Sequence, residues 1–109
     1  MNIEKLKKIG GNEWIKNDYH RIYFNEELLC ELYGLETNHY KTGNISSASL
    51  KDKPLSNSKA RKIMNDLSML KIWYDVKTGE FVFKCSMRLY GDVNEYFETL
   101  VDAINTKIA

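Results

Sequence analysis

Lys71-Ile72-Trp73-Tyr74-Asp75-Val76-Lys77-Thr78-Gly79-Glu80-Phe81-Val82-Phe83-Lys84-Cys85 is the stretch on which the fold turns. Aromatic and β-branched residues alternate with polar ones on both sides of a turn-forming centre, so residues 71–76 and 80–85 read as a β-hairpin. Ile72, Tyr74 and Val76 share one face of the first strand; Phe81, Phe83 and Cys85 share one face of the second. That face is apolar enough to be buried. Gly79 supplies the left-handed position that closes such a turn. Trp73 and Val82 then fall on the opposite face with Lys71 and Lys84. A Trp exposed between lysines can stack a nucleobase, whereas a sheet packed on both sides would cover it with another helix.

Helices flank this hairpin. Upstream, Ala60, Ile63, Met64, Leu67 and Leu70 repeat at helical spacing from Ser58, with Ser56, Asn57 or Ser58 as the cap. Downstream, Asp92 and Glu95 form a capping-box-like start, and Phe97, Leu100, Val101, Ile104 and Ile108 make an apolar stripe opposite Glu95, Glu98 and Asp102. Toward the N-terminus, residues 12–16 and 20–24 read as a second hairpin, with Asn17-Asp18 as its turn. Met1 to Ile9 forms a short helix that Gly10-Gly11 ends. Asn25 caps a further helix with Glu26 and Glu27 in its first turn, Leu28, Leu29 and Leu32 on its apolar stripe, and Gly34 as its stop before Leu35. Residues 36–56 fit either a strand around 45–50, with Ala48 and Leu50 on one face, or a recognition loop. Two hairpins separated by three to four helices give an α+β fold with a mainly antiparallel sheet, in one compact domain over 1–109.

The composition agrees with a globular chain. Of 109 residues, 43% are hydrophobic and 28% charged, which excludes collagen-like and low-complexity classes. Sixteen Lys and Arg against fifteen Asp and Glu leave a net charge of +1, so neither an acidic nucleic-acid mimic nor a uniformly basic coat fits. Cys30 and Cys85 lie far apart and form no C-x-x-C pair; they read as small hydrophobes in a reducing compartment. No apolar run reaches the roughly 18 residues of a membrane span, and Met1–Gly11 lacks the apolar centre of a signal peptide. The expectation is a cytoplasmic protein without a membrane partner.

Motifs that carry chemistry are sparse. His20 and His39 have no ligand-type spacing, so no metal site is expected. Ser56-Asn57-Ser58-Lys59 and Lys77-Thr78-Gly79 imitate S-x-x-K and K-T-G, but that chemistry needs a deep cleft between two substantial domains. Lys41-Thr42-Gly43 repeats the tripeptide as plain turn chemistry. Gly10-Gly11 lacks the glycine spacing of a phosphate loop. The chain therefore reads as a non-enzyme with no catalytic residue and no cofactor. The alternative in the other class is a small enzyme acting on nucleic acid with His20 or His39 as acid or base.

Charge is segregated along the chain. Residues 26–40 carry net −4, residues 41–62 net +5, and residues 92–109 net −3. Lys41, Lys51, Lys53, Lys59, Arg61 and Lys62 make a local basic segment across a polar loop and a helix start, suited to phosphate or to an acidic protein groove. Lys59 and Lys62 share one helical face, expected to point away from Ile63 and Leu67. Trp14, Arg21 and Trp73 on the hairpins complete the candidate contact set.

Three stretches carry a resemblance: Gly10-Gly11-Asn12-Glu13-Trp14 leading to Arg21-Ile22-Tyr23-Phe24-Asn25; Tyr40-Lys41-Thr42-Gly43-Asn44-Ile45-Ser46-Ser47-Ala48; and Ser56-Asn57-Ser58-Lys59-Ala60-Arg61. Together they resemble small accessory proteins of phages and other mobile elements, a group that includes anti-CRISPR inhibitors. The resemblance implies a compact protein that acts by binding, through stoichiometric occlusion of a nucleic-acid-handling complex or of its nucleic acid. The partner is then a protein or ribonucleoprotein complex, or RNA or DNA bound directly by a regulator. A homo-oligomer joined through a hairpin edge or the last helix is a further expectation. Gly79-Glu80-Phe81-Val82-Phe83 also resembles the aromatic strand of an RNA-recognition motif, without its second small residue or its order of elements.

Overall fold

The computed structural model describes residues 1–42, 45–50 and 57–109, the backbone alone at 37, 39, 45–50, 57 and 58. Its elements run α1 (Ile3–Lys8), β1 (Asn12–Lys16), β2 (Tyr19–Phe24), α2 (Glu26–Tyr33), β3 (Leu35–His39), β4 (Ile45–Leu50), α3 (Asn57–Ser68), β5 (Leu70–Asp75), β6 (Glu80–Cys85) and α4 (Val93–Ile108). A four-stranded antiparallel sheet has the order β1-β2-β5-β6, and β3 and β4 pair separately. This is the expected α+β class. The two expected hairpins lie side by side: Ile22 pairs with Tyr74 and Phe24 with Ile72 across β2 and β5.

Local chemistry sets most boundaries. Asn17 takes a positive φ of 52°, the sign that a two-residue hairpin turn of the primed type requires at its first central position. The Asn25 side chain accepts from the Leu28 N–H at 2.8 Å, and that of Asp92 from Asn94 and Glu95, so both helices begin on capped N-termini. Gly34, at φ 96°, turns its N–H back to the carbonyls of Cys30 and Glu31 and ends α2. Any other residue at that φ pays for crowding by its Cβ.

The core lies on one face of the sheet. Ile22, Phe24, Leu70, Ile72 and Tyr74 are buried there against Leu6, Leu28, Leu29, Leu32, Leu67, Leu100 and Ile104 from the four helices. Phe81 and Phe83 point to the same side: Phe81 packs edge-on to Tyr74, with centroids 5.1 Å apart, and Phe83 lies 4.7 Å from Phe97. The part of the chain resembling an RNA-recognition strand therefore spends its aromatics on the core.

Several expectations are refined. β5 starts at Leu70, which is buried, while Val76 lies past the strand end. On α4 the buried residues are Tyr96, Leu100 and Ile104; Phe97 and Val101 are half-buried at the margin. The helical stripe is centred one position earlier than the apolar pattern implied, because a Tyr with a buried hydrogen-bond partner occupies a core position. Leu35–His39 is a strand that the sequence did not announce, paired with the strand at 45–50. Its segment Glu36-Thr37-Asn38-His39 has no apolar alternation to read. Among the described residues no helix is long and apolar enough to cross a membrane, and both cysteines are free thiols.

Candidate functional site

Antiparallel register puts directly paired residues on the same face. The face opposite the core therefore carries Trp14 beside Arg21, Lys16 beside Tyr19, Tyr23 beside Trp73 and Val82, and Lys71 beside Lys84. Arg21 also stands in a row with Asp75 and Glu80. Trp14 and Tyr19 remain 41% and 51% exposed, and Tyr23 and Trp73 are half-buried by their neighbours on the same face. The helix that would have covered Trp73 in a sheet packed on both sides is not found among the described residues.

Arg21 is the centre of this surface. Its guanidinium carbon lies 4.5 Å from the Tyr19 ring centroid and 4.9 Å from that of Trp73, a cation–π stack with both. Its Nη1 donates to the Tyr23 hydroxyl at 3.0 Å. Trp14 and Tyr19 lie 6.2 Å apart between centroids, and Tyr23 and Trp73 5.7 Å. The Arg21 Nε is buried and makes no hydrogen bond among the described residues, an unused donor on a charged group. Beside it runs a groove of about 470 Å³, walled by Arg21, Tyr23, Trp73, Lys71 and Lys84, by Glu26 at the start of α2 and by Leu67 and Ser68 at the end of α3. That volume falls within the roughly 300–1,000 Å³ of small-molecule sites. Planar rings, a planar cation and flanking lysines suit a planar ligand that carries negative charge.

Three residues singled out in the sequence, Trp14, Arg21 and Trp73, thus meet on one face. Tyr19 and Tyr23 were missed, although their period-two spacing around Arg21 was visible in the sequence. The basic segment does not join this cluster as a unit. Lys41 and Arg61 are exposed, and Lys51 and Lys53 lie outside the described residues. Lys59 and Lys62 line a second cavity with Ile63, Asp66, Tyr90, Gly91 and Tyr96, and the Lys62 Nζ sits 5.7 Å from the Tyr90 ring. Ile63, expected to face away from both lysines, borders the same cavity because it lies one turn beyond Lys59; Leu67 is buried as expected.

His20 sits on the helix side of β2. Its Nε2 is 2.7 Å from the Glu13 carboxylate, whose other oxygen is 3.2 Å from the Lys7 Nζ. The His20 contact, then the Lys7 contact, hold the Glu13 carboxyl below its ordinary 4.5. The cluster ties α1 to the first hairpin. The side chain of His39 lies outside the described residues.

Searches against protein families, curated proteins and solved structures found no match to this chain.

Proposed function

We propose that this chain binds single-stranded nucleic acid on the uncovered face of its four-stranded sheet, and so denies the strand to a nucleic-acid-handling complex. The observation that carries this is the stack of Arg21 on Tyr19 and Trp73 on an uncovered face, with Trp14 and Tyr19 exposed beside it. Bases stack on such rings regardless of sequence, each for about 1–3 kcal/mol. Arg21, Lys16, Lys71 and Lys84 stand where phosphates would pass, and they outnumber Asp75 and Glu80 on the same face and Glu26 at the groove. Occlusion by binding is also what the resemblance to mobile-element inhibitors implies.

Titrations with fluorescein-labelled single-stranded DNA and RNA, and with duplexes of the same sequences, test this. Single strands are expected to quench the tryptophan fluorescence and to bind more tightly than duplexes. Four phosphate contacts predict a log–log salt slope of about −3 for single strands. Trp14→Ala combined with Trp73→Ala should weaken binding at least tenfold. Failure of every oligonucleotide to bind at low salt, or affinity unchanged in the double variant, removes the proposal.

A further inference from the structure

β1 is an edge of the sheet, and among the described residues it pairs only with β2. All five of its residues are exposed. Edge strands are usually blunted by a bulge, a proline or inward charge. β1 carries two charges, Lys16 on the outer face and Glu13 on the helix side, where Lys7 and His20 already hold the Glu13 carboxylate. It has no proline, its ladder with β2 is regular from Asn12↔Tyr23 to Lys16↔Tyr19, and its two apolar side chains are uncovered on opposite faces: Trp14 at 41% and Ile15 at 64%. The other edge, β6, is different, since Phe81, Val82 and Phe83 are all half-buried.

The backbone sets a register. The His20 carbonyl accepts from the Val76 N–H at 2.9 Å, so the peptide groups of His20 point away from β1. His20 is opposite Ile15, and Ile22 is opposite Glu13. Alternation along an antiparallel ladder then turns the N–H and C=O of Ile15 and Glu13 outward, to the free edge. A second copy laid antiparallel can satisfy these groups with a two-fold axis at Trp14. Glu13 pairs with Ile15 of the second copy and the reverse, each pair exchanging two hydrogen bonds, while the two Trp14 residues meet in the closely spaced pair between them. Lys16 then faces Asn12, and no like charges stand directly opposite.

We propose that the chain forms a two-fold homodimer through β1, joining two four-stranded sheets into one sheet of eight. The axis is perpendicular to the sheet, so both aromatic faces lie on the same side and Trp14 of each copy meets that of the other at the middle of one continuous surface. Its use as a longer track for a single strand rests on the proposed nucleic-acid binding; the dimer does not. The seam is small beside the roughly 1,600 Å² of a standard interface, so the dimer dissociates on dilution.

Sedimentation velocity and light scattering on the full chain, up to millimolar concentration and without nucleic acid, read this directly. The expected mass rises from 12.8 kDa toward twice that value. Amide exchange at Glu13 and Ile15 should slow as concentration rises. Ile15→Pro removes an outward N–H that the hairpin does not use, and should leave a folded monomer. Trp14→Lys and Trp14→Glu should each be monomeric, with a 1:1 mixture of the two forming dimers, because only this axis sets residue 14 against its own copy. A wild-type mass that stays at one chain, growth into open polymers, or a mixture no heavier than its components overturns the dimer. Loss of dimerisation with oligonucleotide binding intact, or the converse, separates its failure from that of the binding proposal.

Discussion

The Tyr96 hydroxyl donates to the Asp66 carboxylate at 2.6 Å, joining α4 to α3 inside the protein. Asp66 is 1% exposed, and it also accepts from the backbone N–H of Tyr90, at 2.9 Å, and of Gly91, at 3.1 Å. One buried carboxylate therefore organises the segment that leads into α4. A Cβ at Gly91 would lie 2.7 Å from the Tyr96 hydroxyl, so this close approach needs glycine.

Removing either end of this bond should be costly in different degrees. Asp66→Ala leaves three donors without their acceptor and should destabilise by about 3–5 kcal/mol. Tyr96→Phe removes one donor to a charged acceptor and should cost about 1.5–3 kcal/mol. Urea unfolding checks both, and equal losses for the two variants would show that Asp66 is not the hub.

Alkaline pH should destabilise the fold in two stages. Burial, aided by the charges of Glu26 and Glu27, pushes the Cys30 thiol from an ordinary 9.0 up to about 12. Burial and the bond to Asp66 raise Tyr96 above its ordinary 10.0, and burial raises Tyr33. Each group keeps its proton in the folded state after the unfolded chain has lost it. Their stabilisation is thus complete below the unfolded values and declines as pH rises toward the folded ones. Thermal midpoints should begin to fall above pH 9, and in Cys30→Ala the fall should begin nearer pH 10.

On α4 the burial order fixes the order of mutational cost. Leu100, with no exposed surface, should lose about 3–5 kcal/mol on truncation to Ala. Phe97 is half-buried against Phe83, and Phe97→Ala should lose less, about 2–3 kcal/mol, despite the larger side chain. Chemical denaturation of the two variants gives the ranking.

Lys71 and Lys84 are directly opposed across β5 and β6, and like charges so placed repel. Lys84→Glu should therefore raise the urea midpoint of the free protein while weakening oligonucleotide binding. Oligonucleotide affinity left unchanged or raised would place Lys84 outside the binding face, and an unchanged or lowered midpoint would show that the two lysines do not repel.

The two cationic surfaces can be ranked. Lys59→Glu with Lys62→Glu alters the cavity beside Asp66, and Arg21→Ala dismantles the stack on the sheet. The single change should cost more oligonucleotide affinity than the double change, with far-UV circular dichroism of the parent in both. The reverse ranking would move the interface to α3.

Much of the fold was legible in the sequence because it is written locally. Alternation at 72–74 and 81–83, the caps Asn25 and Asp92, and the stop at Gly34 act within a few residues, and each stands where expected. The strand at 35–39 was not legible, since its partner and not its own pattern makes it a strand. Likewise Tyr96 entered the core through Asp66, thirty residues away.

Residue type and period-two spacing determined that Trp14 and Arg21 share the face of one hairpin and that Trp73 lies opposite the buried side of another. Only the tertiary structure decided that the hairpins pair through β2 and β5, with the four described helices packed on one side. This pairing brings Arg21 onto Trp73 and, among the described residues, leaves the stack uncovered. The reason is physical: alternation specifies which side chains share a face, whereas which strand lies beside which depends on contacts between residues some fifty positions apart. The energy of those contacts comes from a core that no local segment contains.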